Sequence, residues 1–206
     1  DGFGVKPLYI YEDKGTFAFA SEIKALLCFP WIERKLDPQA IAHYLRHLWC
    51  PAPRTPLSGV KKVEPGEVLV VRDGCVTKRW RHYSLPSPGP DSSRPVSEWT
   101  VDIRHALSAA VQRQMVSDVP LGAFLSGGLD SSAIVAYARQ HSAERLQCFT
   151  IDFDEELAKR EGFARDLPYA ERVAKHLDID LHVVHVKADL ADSLERMVWQ
   201  LDEPLA

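Results

Sequence analysis

Leu125-Ser126-Gly127-Gly128-Leu129-Asp130-Ser131-Ser132 is the stretch from which the rest of this 206-residue chain can be read. Ahead of it, PLGAFLS (residues 120–126) is a short apolar run that reads as a strand; behind it, SSAIVAYARQH (131–141) reads as a helix. Adjacent glycines between a strand and a helix let the backbone turn sharply and approach a ligand closely. The helix start offers unpaired N–H groups and the positive end of the helix dipole. Ser126, Ser131 and Ser132 add hydroxyl donors. The combination is a phosphate cradle at the carboxyl end of a strand, where an open α/β sheet binds its ligand. Asp130 would repel a bare phosphate, so it fits only if a cation such as Mg²⁺ bridges it to the phosphates. The loop contains no lysine, and it is neither GxxxxGK[ST] nor GxGxxG. It suits a grip on pyrophosphate and cleavage between the α and β phosphates. The bland alternative is a Ser/Gly-rich turn with no ligand, and the strand before and helix after the loop weigh against it.

Outward from the loop, strands and helices alternate. SEWTVDIRHALSAAVQRQMV (97–116) carries Trp99, Ile103, Leu107 and Val111 at helical spacing. LQCFTIDF (146–153) and LHVVHVK (181–187) read as strands, PYAERVAKHL (168–177) and ADLADSLERMVWQL (188–201) as helices. Such alternation predicts a parallel, doubly wound sheet. Further upstream the rhythm is mixed α+β. PLYIYED and TFAFAS predict one hairpin, and GEVLVVRDGCVTKRWRHY predicts a second around Asp73-Gly74. SEIKALLCF predicts a short helix capped by Ser21, and DPQAIAHYLRHLW a helix with Asp37 as its cap and Pro38 at its first position. Between the two regions, SLPSPGPDSSRPVS (84–97) holds Pro86, Pro88, Pro90 and Pro95 with Gly89, a composition that supports neither a helix nor an inner strand. The chain therefore divides into residues 1–83, a linker at 84–97, and residues 98–206.

Composition narrows the function classes. Twenty-five Lys and Arg against twenty-nine Asp and Glu leave a net charge of −4, and hydrophobic residues make up 46%. That excludes a broadly disordered chain and a strongly basic nucleic-acid binder. No apolar run reaches the roughly 18–20 residues that span a bilayer. Cys28, Cys50, Cys75 and Cys148 contain no CxxC pair and suit a reducing cytoplasm. The chain starts at Asp1 and stops after Asp202-Glu203-Pro204-Leu205-Ala206, which reads as a fragment cut at both ends.

SGGLDSS resembles the pyrophosphate loop of ATP pyrophosphatases. The longer run Val119-Pro120-Leu121-Gly122-Ala123-Phe124-Leu125-Ser126-Gly127-Gly128-Leu129-Asp130-Ser131-Ser132 resembles that of the glutamine-hydrolysing asparagine synthases. Other landmarks of that family follow in order: Asp1-Gly2-Phe3-Gly4-Val5-Lys6-Pro7-Leu8-Tyr9 (its RDxxGxKPLYY), Phe19-Ala20-Ser21-Glu22-Ile23-Lys24-Ala25-Leu26 (FASExKAL), Val63-Glu64-Pro65-Gly66-Glu67 (LPPGH) and Asp202-Glu203-Pro204 (DEP). The resemblance implies the C-terminal part of an N-terminal-nucleophile glutaminase domain (αββα), then the first half of a Rossmann-like adenine nucleotide α-hydrolase domain. It implies that glutamine supplies ammonia, and that ATP adenylates the aspartate side chain before ammonia displaces AMP. By the same resemblance Asp1 would bind glutamine, and Leu125, Ser126, Gly127, Gly128, Asp130 and Ser131 would bind ATP and its pyrophosphate. Ile151 would pack on the adenine, and Asp130 would hold Mg²⁺. Aspartate, glutamine and ATP are the expected small-molecule partners, in the cytoplasm, without nucleic acid or membrane and with a homodimer allowed.

The family's nucleophilic cysteine matches none of the four cysteines, so no catalytic residue is expected in this chain, and the piece alone is expected to be inactive. Three other readings stay open: a relative that amidates another carboxylate (of a surface polysaccharide or a peptide), a β-lactam synthetase-like cyclase, and a non-catalytic nucleotide-binding scaffold. The remaining candidates have plainer readings. His43 and His47 lie four apart on a helix face without a third ligand. His182 and His185 fall on opposite faces of a strand. Cys148 reads as core, residues 152–166 as a solvated charge run, and Trp31, Trp49 and the RWRHY segment as structural packing rather than nucleic-acid stacking.

Overall fold

The computed structural model describes residues 1–87, 89, 94–153, 166–186 and 190–203. Most of the charged run expected at 152–166, part of the linker at 84–97, and Pro204 lie outside the described residues. In chain order the elements are β1 (Tyr9–Asp13), β2 (Thr16–Ala20), α1 (Ile23–Leu26), α2 (Pro38–His47), β3 (Val60–Lys62), β4 (Glu67–Arg72), β5 (Cys75–Arg81), α3 (Val96–Gln114), β6 (Gly122–Phe124), α4 (Leu129–His141), β7 (Gln147–Phe153), α5 (Leu167–Leu177), β8 (Asp180–Val186) and α6 (Leu190–Leu201). They fall into two compact units, Asp1–Pro88 with Leu190–Ala206, and Gly89–Asp189. Residues 190–206, downstream of the linker in sequence, thus group with the first unit.

In the first unit both expected hairpins form. Lys14 and Gly15 turn β1 into β2 with φ of 45° and 79°, and Asp73 and Gly74 turn β4 into β5 with φ of 49° and 72°. Two successive left-handed residues give the turn whose twist matches that of the flanking strands. β1 also pairs antiparallel with β3, making a sheet ordered β2-β1-β3, while β4 and β5 form a separate ribbon. Tyr9, Ala18, Ile23, Leu26, Ile32 and Val60 form the core. The start of α2 is as expected. Asp37 accepts a hydrogen bond from the Gln39 amide at 2.9 Å, and Pro38 fills the first turn. Leu48, at φ 63°, ends the helix.

The start of α1 differs from expectation. Ser21 does not cap it; Glu22 occupies the cap position and makes no side-chain cap bond. Instead the Ile23 amide donates to Asp202 Oδ2 at 2.9 Å, and the Lys24 amide donates to Asp202 Oδ1 at 3.2 Å. The Lys24 ammonium reaches the same Oδ1 at 3.2 Å. Orphan amides at a helix start need an acceptor, and here it comes from the other end of the chain. No local pattern encodes that.

The second unit is α/β. β6, β7 and β8 pair in parallel in that order, with Ala123 beside Cys148 and Cys148 beside Leu181. Its core joins Val111 of α3, Val135 and Ala138 of α4, Cys148 of β7, and Ala170 and Ala174 of α5. Strands added consecutively in one direction through right-handed crossovers keep their helices on one face. Accordingly Phe124, Phe149, Ile151 and Val184 stand exposed on the opposite face. Double winding needs a reversal of strand order, and none occurs among the described residues. Among the described residues no helix is long and apolar enough to cross a membrane.

Two measurements follow from the first unit. Asp202→Ala in the encoded protein should lower stability by roughly 0.5–2 kcal/mol, the usual worth of a helix cap; urea unfolding indistinguishable from wild type would refute the long-range cap. Burial, then the nearby carboxylates of Glu203 and Asp202, push the Tyr9 phenol up from 10.0 to about 12. A raised folded pKa means this contribution to stability is fully present below pH 10.0 and is lost as pH climbs toward about 12. Ultraviolet titration of the six tyrosines should show one late step that Tyr9→Phe removes.

Candidate functional site

The loop after β6 is built from its backbone outward. Leu125 is fully buried, and its amide donates to the Phe149 carbonyl at 2.8 Å, continuing the β6–β7 ladder by one residue. Its side chain belongs to the core, so only its backbone can serve a ligand at the strand end. Beyond it, the Ser126 and Ser131 hydroxyls stand 3.0 Å apart, and the Gly128 amide donates to Ser126 Oγ at 3.4 Å. Ser131 Oγ reaches the Gly128 carbonyl at 3.2 Å. Gly128 is the cap residue of α4 and no side chain caps the helix. Its first-turn amides are therefore not taken up by a side-chain cap, and the exposed Asp130 sits in that same turn.

The two glycines have different reasons to be glycine. Gly127 adopts φ +78°, and a Cβ there would lie 2.5 Å from the Ala170 amide nitrogen and from Tyr169 backbone and side-chain atoms. The first turn of α5 rests on it. Gly128 has φ −69°, which any residue adopts, and a Cβ there would meet only Ser126 Oγ at 3.4 Å. Nothing in the chain's own packing calls for glycine at 128. The space a side chain would fill lies directly over the hydroxyls and the helix start. A phosphate group fits this donor set: amides, two hydroxyls and a helix dipole.

Ser132 does not join Ser126 and Ser131. Its Oγ is buried without a hydrogen-bond partner among the described residues, and it borders a groove of about 490 Å³ between α4 and α5. Tyr169, Arg172, Val173 and His176 also line that groove, and the Arg172 guanidinium lies 4.9 Å over the Tyr169 ring. The spacing of Tyr169, Arg172, Val173 and His176 on one helix face was the signal for it in the sequence. Ile151 is 48% exposed on the outer sheet face, between the buried Thr150 and Asp152. Its neighbour Asp152 meets His185 Nδ1 at 3.4 Å, a pairing set by the parallel register. His182 stacks on Phe149, so the two histidines do fall on opposite faces. Cys148 is buried in the core, and burial pushes its thiol up.

Asp1 lies in the first unit. Its Oδ1 accepts from the Phe3 amide at 2.9 Å and the Val5 amide at 3.2 Å, and its Oδ2 accepts from the Lys6 amide at 3.0 Å. The carboxylate thus organises the turn over residues 1–6, a role that competes with the expected grip on a substrate ammonium. The His43 and His47 rings stand 6.2 Å apart, edge to face, and no cluster of metal-binding side chains surrounds them among the described residues. All four cysteines are free.

Comparison with known proteins agrees with both halves of the chain. Residues 102–206 match the family model described as asparagine synthase, and residues 1–83 match a glutamine amidotransferase domain. Over 209 residues the chain is 34% identical to asparagine synthetase [glutamine-hydrolyzing] 1 of Bacillus subtilis, covering 100% of this chain and 31% of the relative. It is 33% identical over 215 residues to asparagine synthetase [glutamine-hydrolyzing] 3 of the same organism, covering 99% and 34%. It is 30% identical over 225 residues to amidase chyE of Penicillium rubens, covering 100% and 32%. The chain spans about a third of the length of these curated relatives. With an amidotransferase match over residues 1–83 and a synthase match over residues 102–206 that contains Ser126 and Ser131, the chain belongs to the asparagine synthase family.

Proposed function

We propose that the encoded protein is an ATP-dependent, glutamine-hydrolysing asparagine synthase, a carbon–nitrogen ligase of the cytoplasm. The observation that carries this is Gly128. Its glycine is unexplained by conformation or packing, and its missing side chain leaves the Ser126–Ser131 cradle open to a ligand. In this reading residues 1–83 are the C-terminal part of an N-terminal-nucleophile glutaminase domain and 84–97 a linker. Residues 98–206 are the first half of a Rossmann-like ATP-pyrophosphatase domain.

The chemistry follows from what a carboxylate needs. It is a poor electrophile, and transfer of AMP to the aspartate side chain, with pyrophosphate leaving, supplies a good leaving group. Ammonia from glutamine then attacks the activated carbon, and AMP departs. The α4 amides, with Ser126 and Ser131, hold the pyrophosphate where charge builds up as it leaves. Asp130 would hold Mg²⁺, which would supply positive charge to offset that of the departing pyrophosphate. The exposed Ile151 offers an apolar surface to the adenine, and Leu125 contributes backbone only. Asp1 meets glutamine only if its carboxylate can add an ammonium to the three amides it already accepts. The nucleophile that splits glutamine is supplied from outside these residues.

Calorimetry with Mg-ATP tests the cradle. Asp130→Asn should weaken binding about tenfold or more, a loss of roughly 1.4 kcal/mol; equal affinity in both proteins would remove Asp130 and its metal from the reading. A glycine pair separates the site from the scaffold. Gly128→Ala should leave stability within about 0.5 kcal/mol of wild type yet abolish ATP binding. Gly127→Ala should destabilise the protein by more than about 2 kcal/mol, through its positive φ and its clash with α5. A Gly128→Ala protein that still binds ATP normally would sink the cradle.

A further inference from the structure

One buried polar cluster has no part in the chemistry above. Lys62 Nζ, at the end of β3, lies 2.6 Å from Glu203 Oε1 and donates to the Cys50 carbonyl at 2.7 Å. Both charged side chains are largely buried, and Glu203 itself is only 8% exposed. Its second oxygen, Oε2, is buried with no hydrogen-bond partner among the described residues. Tyr9 and Cys50 close the surroundings; burial pushes the Cys50 thiol up and the Glu203 carboxylate adds to it. The preceding residue, Asp202, caps α1.

A buried ion pair is poor stabilisation, because two charges give up water and Oε2 has only the Cys50 thiol, a weak donor, beside it among the described residues. The best-attested use of such a pair is to specify one register among several. The packing around it says that register needs specifying. α6 sits over a groove of about 740 Å³ lined by Ile23, Leu27, Ile41, Leu57, Val198 and Trp199. That incompletely filled apolar surface would accept α6 in more than one rotation or shift. Glu203 on Lys62, with Asp202 on the α1 amides, admits one. By sequence, α6 and this acid pair lie in the asparagine synthase match, whereas β3 and α1 lie in the amidotransferase match.

We propose that the Lys62–Glu203 pair is a clasp that sets the register of α6 against β3 and α1, and that this register keeps glutamine hydrolysis in step with amide formation. Lys62 and Glu203 are positioning residues; neither touches substrate. The coupling role rests on the synthase reading above.

The test uses the protein as encoded and measures glutamate and pyrophosphate formed with glutamine as donor, then pyrophosphate formed with ammonium as donor. Lys62→Met and Glu203→Gln should raise the glutamate-to-pyrophosphate ratio about fivefold, the effect of roughly 1 kcal/mol of lost coupling. Ammonium-supported synthesis should stay near wild type. Lys62→Arg, which keeps the charge, should restore the ratio. If Lys62→Met does not fold, Glu203→Gln decides, since it removes the carboxylate charge from the pair while keeping the size of the side chain. An unchanged ratio, or both activities falling together, overturns the clasp and leaves the synthase reading standing. A wild-type protein that forms pyrophosphate with neither donor overturns both.

Discussion

The candidate site depends on the absence of one side chain, at Gly127. A Cβ there would sit 2.5 Å from the backbone of Tyr169 and Ala170, closer than real atoms approach. Without it, the loop after β6 can lie against the first turn of α5 in a left-handed conformation. That contact orients the peptide between Ser126 and Gly128, which in turn places the Ser126 hydroxyl 3.0 Å from Ser131 and starts α4 with no side-chain cap on its amides. A cradle made mostly of backbone donors has no side-chain rotamers to adjust, so its geometry is only as good as the packing behind it. Here that packing is Leu125 buried in the core ahead of the loop and α5 beneath it.

The first unit is arranged around a different constraint, the need of α1 for an acceptor at its start. A four-residue helix cannot satisfy its own first amides. Asp202 supplies the acceptor, and Lys24 adds an ion pair to the same carboxylate. The consequence is that residues far downstream become part of the fold that begins at Asp1. Burial of Tyr9 first, and then the two carboxylates placed next to it, push that phenol up. Packing and capping in this unit are thus consequences of one docked segment, and the segment adds to the shift that burial begins.

Family membership and local chemistry answer separate questions. The likeness to asparagine synthetases spans the whole chain but only about a third of those relatives. In the proposed reading the geometry here bears on one step, the holding of a phosphate chain at the carboxyl end of a parallel sheet. The sheet is open on the face that carries Phe124, Phe149, Ile151 and Val184, the face on which Ile151 is offered to adenine in the proposed reading.

Much of this was legible in the sequence. The hairpins at Lys14-Gly15 and Asp73-Gly74, the Asp37-Pro38 helix start, the strand–loop–helix around SGGLDSS and the opposite faces of His182 and His185 all follow from interactions within a few residues, which local patterns encode. The likeness to the asparagine synthases was legible for the same reason, as contiguous motifs. What only tertiary structure decided are contacts between distant segments. The division of labour between Gly127 and Gly128 depends on where α5 packs. The loss of Ser132 from the cradle depends on which helix face meets α5. The cap on α1 comes from Asp202, not Ser21, and Lys62 meets Glu203 across 141 residues of chain. A residue's type constrains what it can bond to; only the folded chain brings a distant acceptor within 3 Å, and no pattern read along the backbone carries that distance.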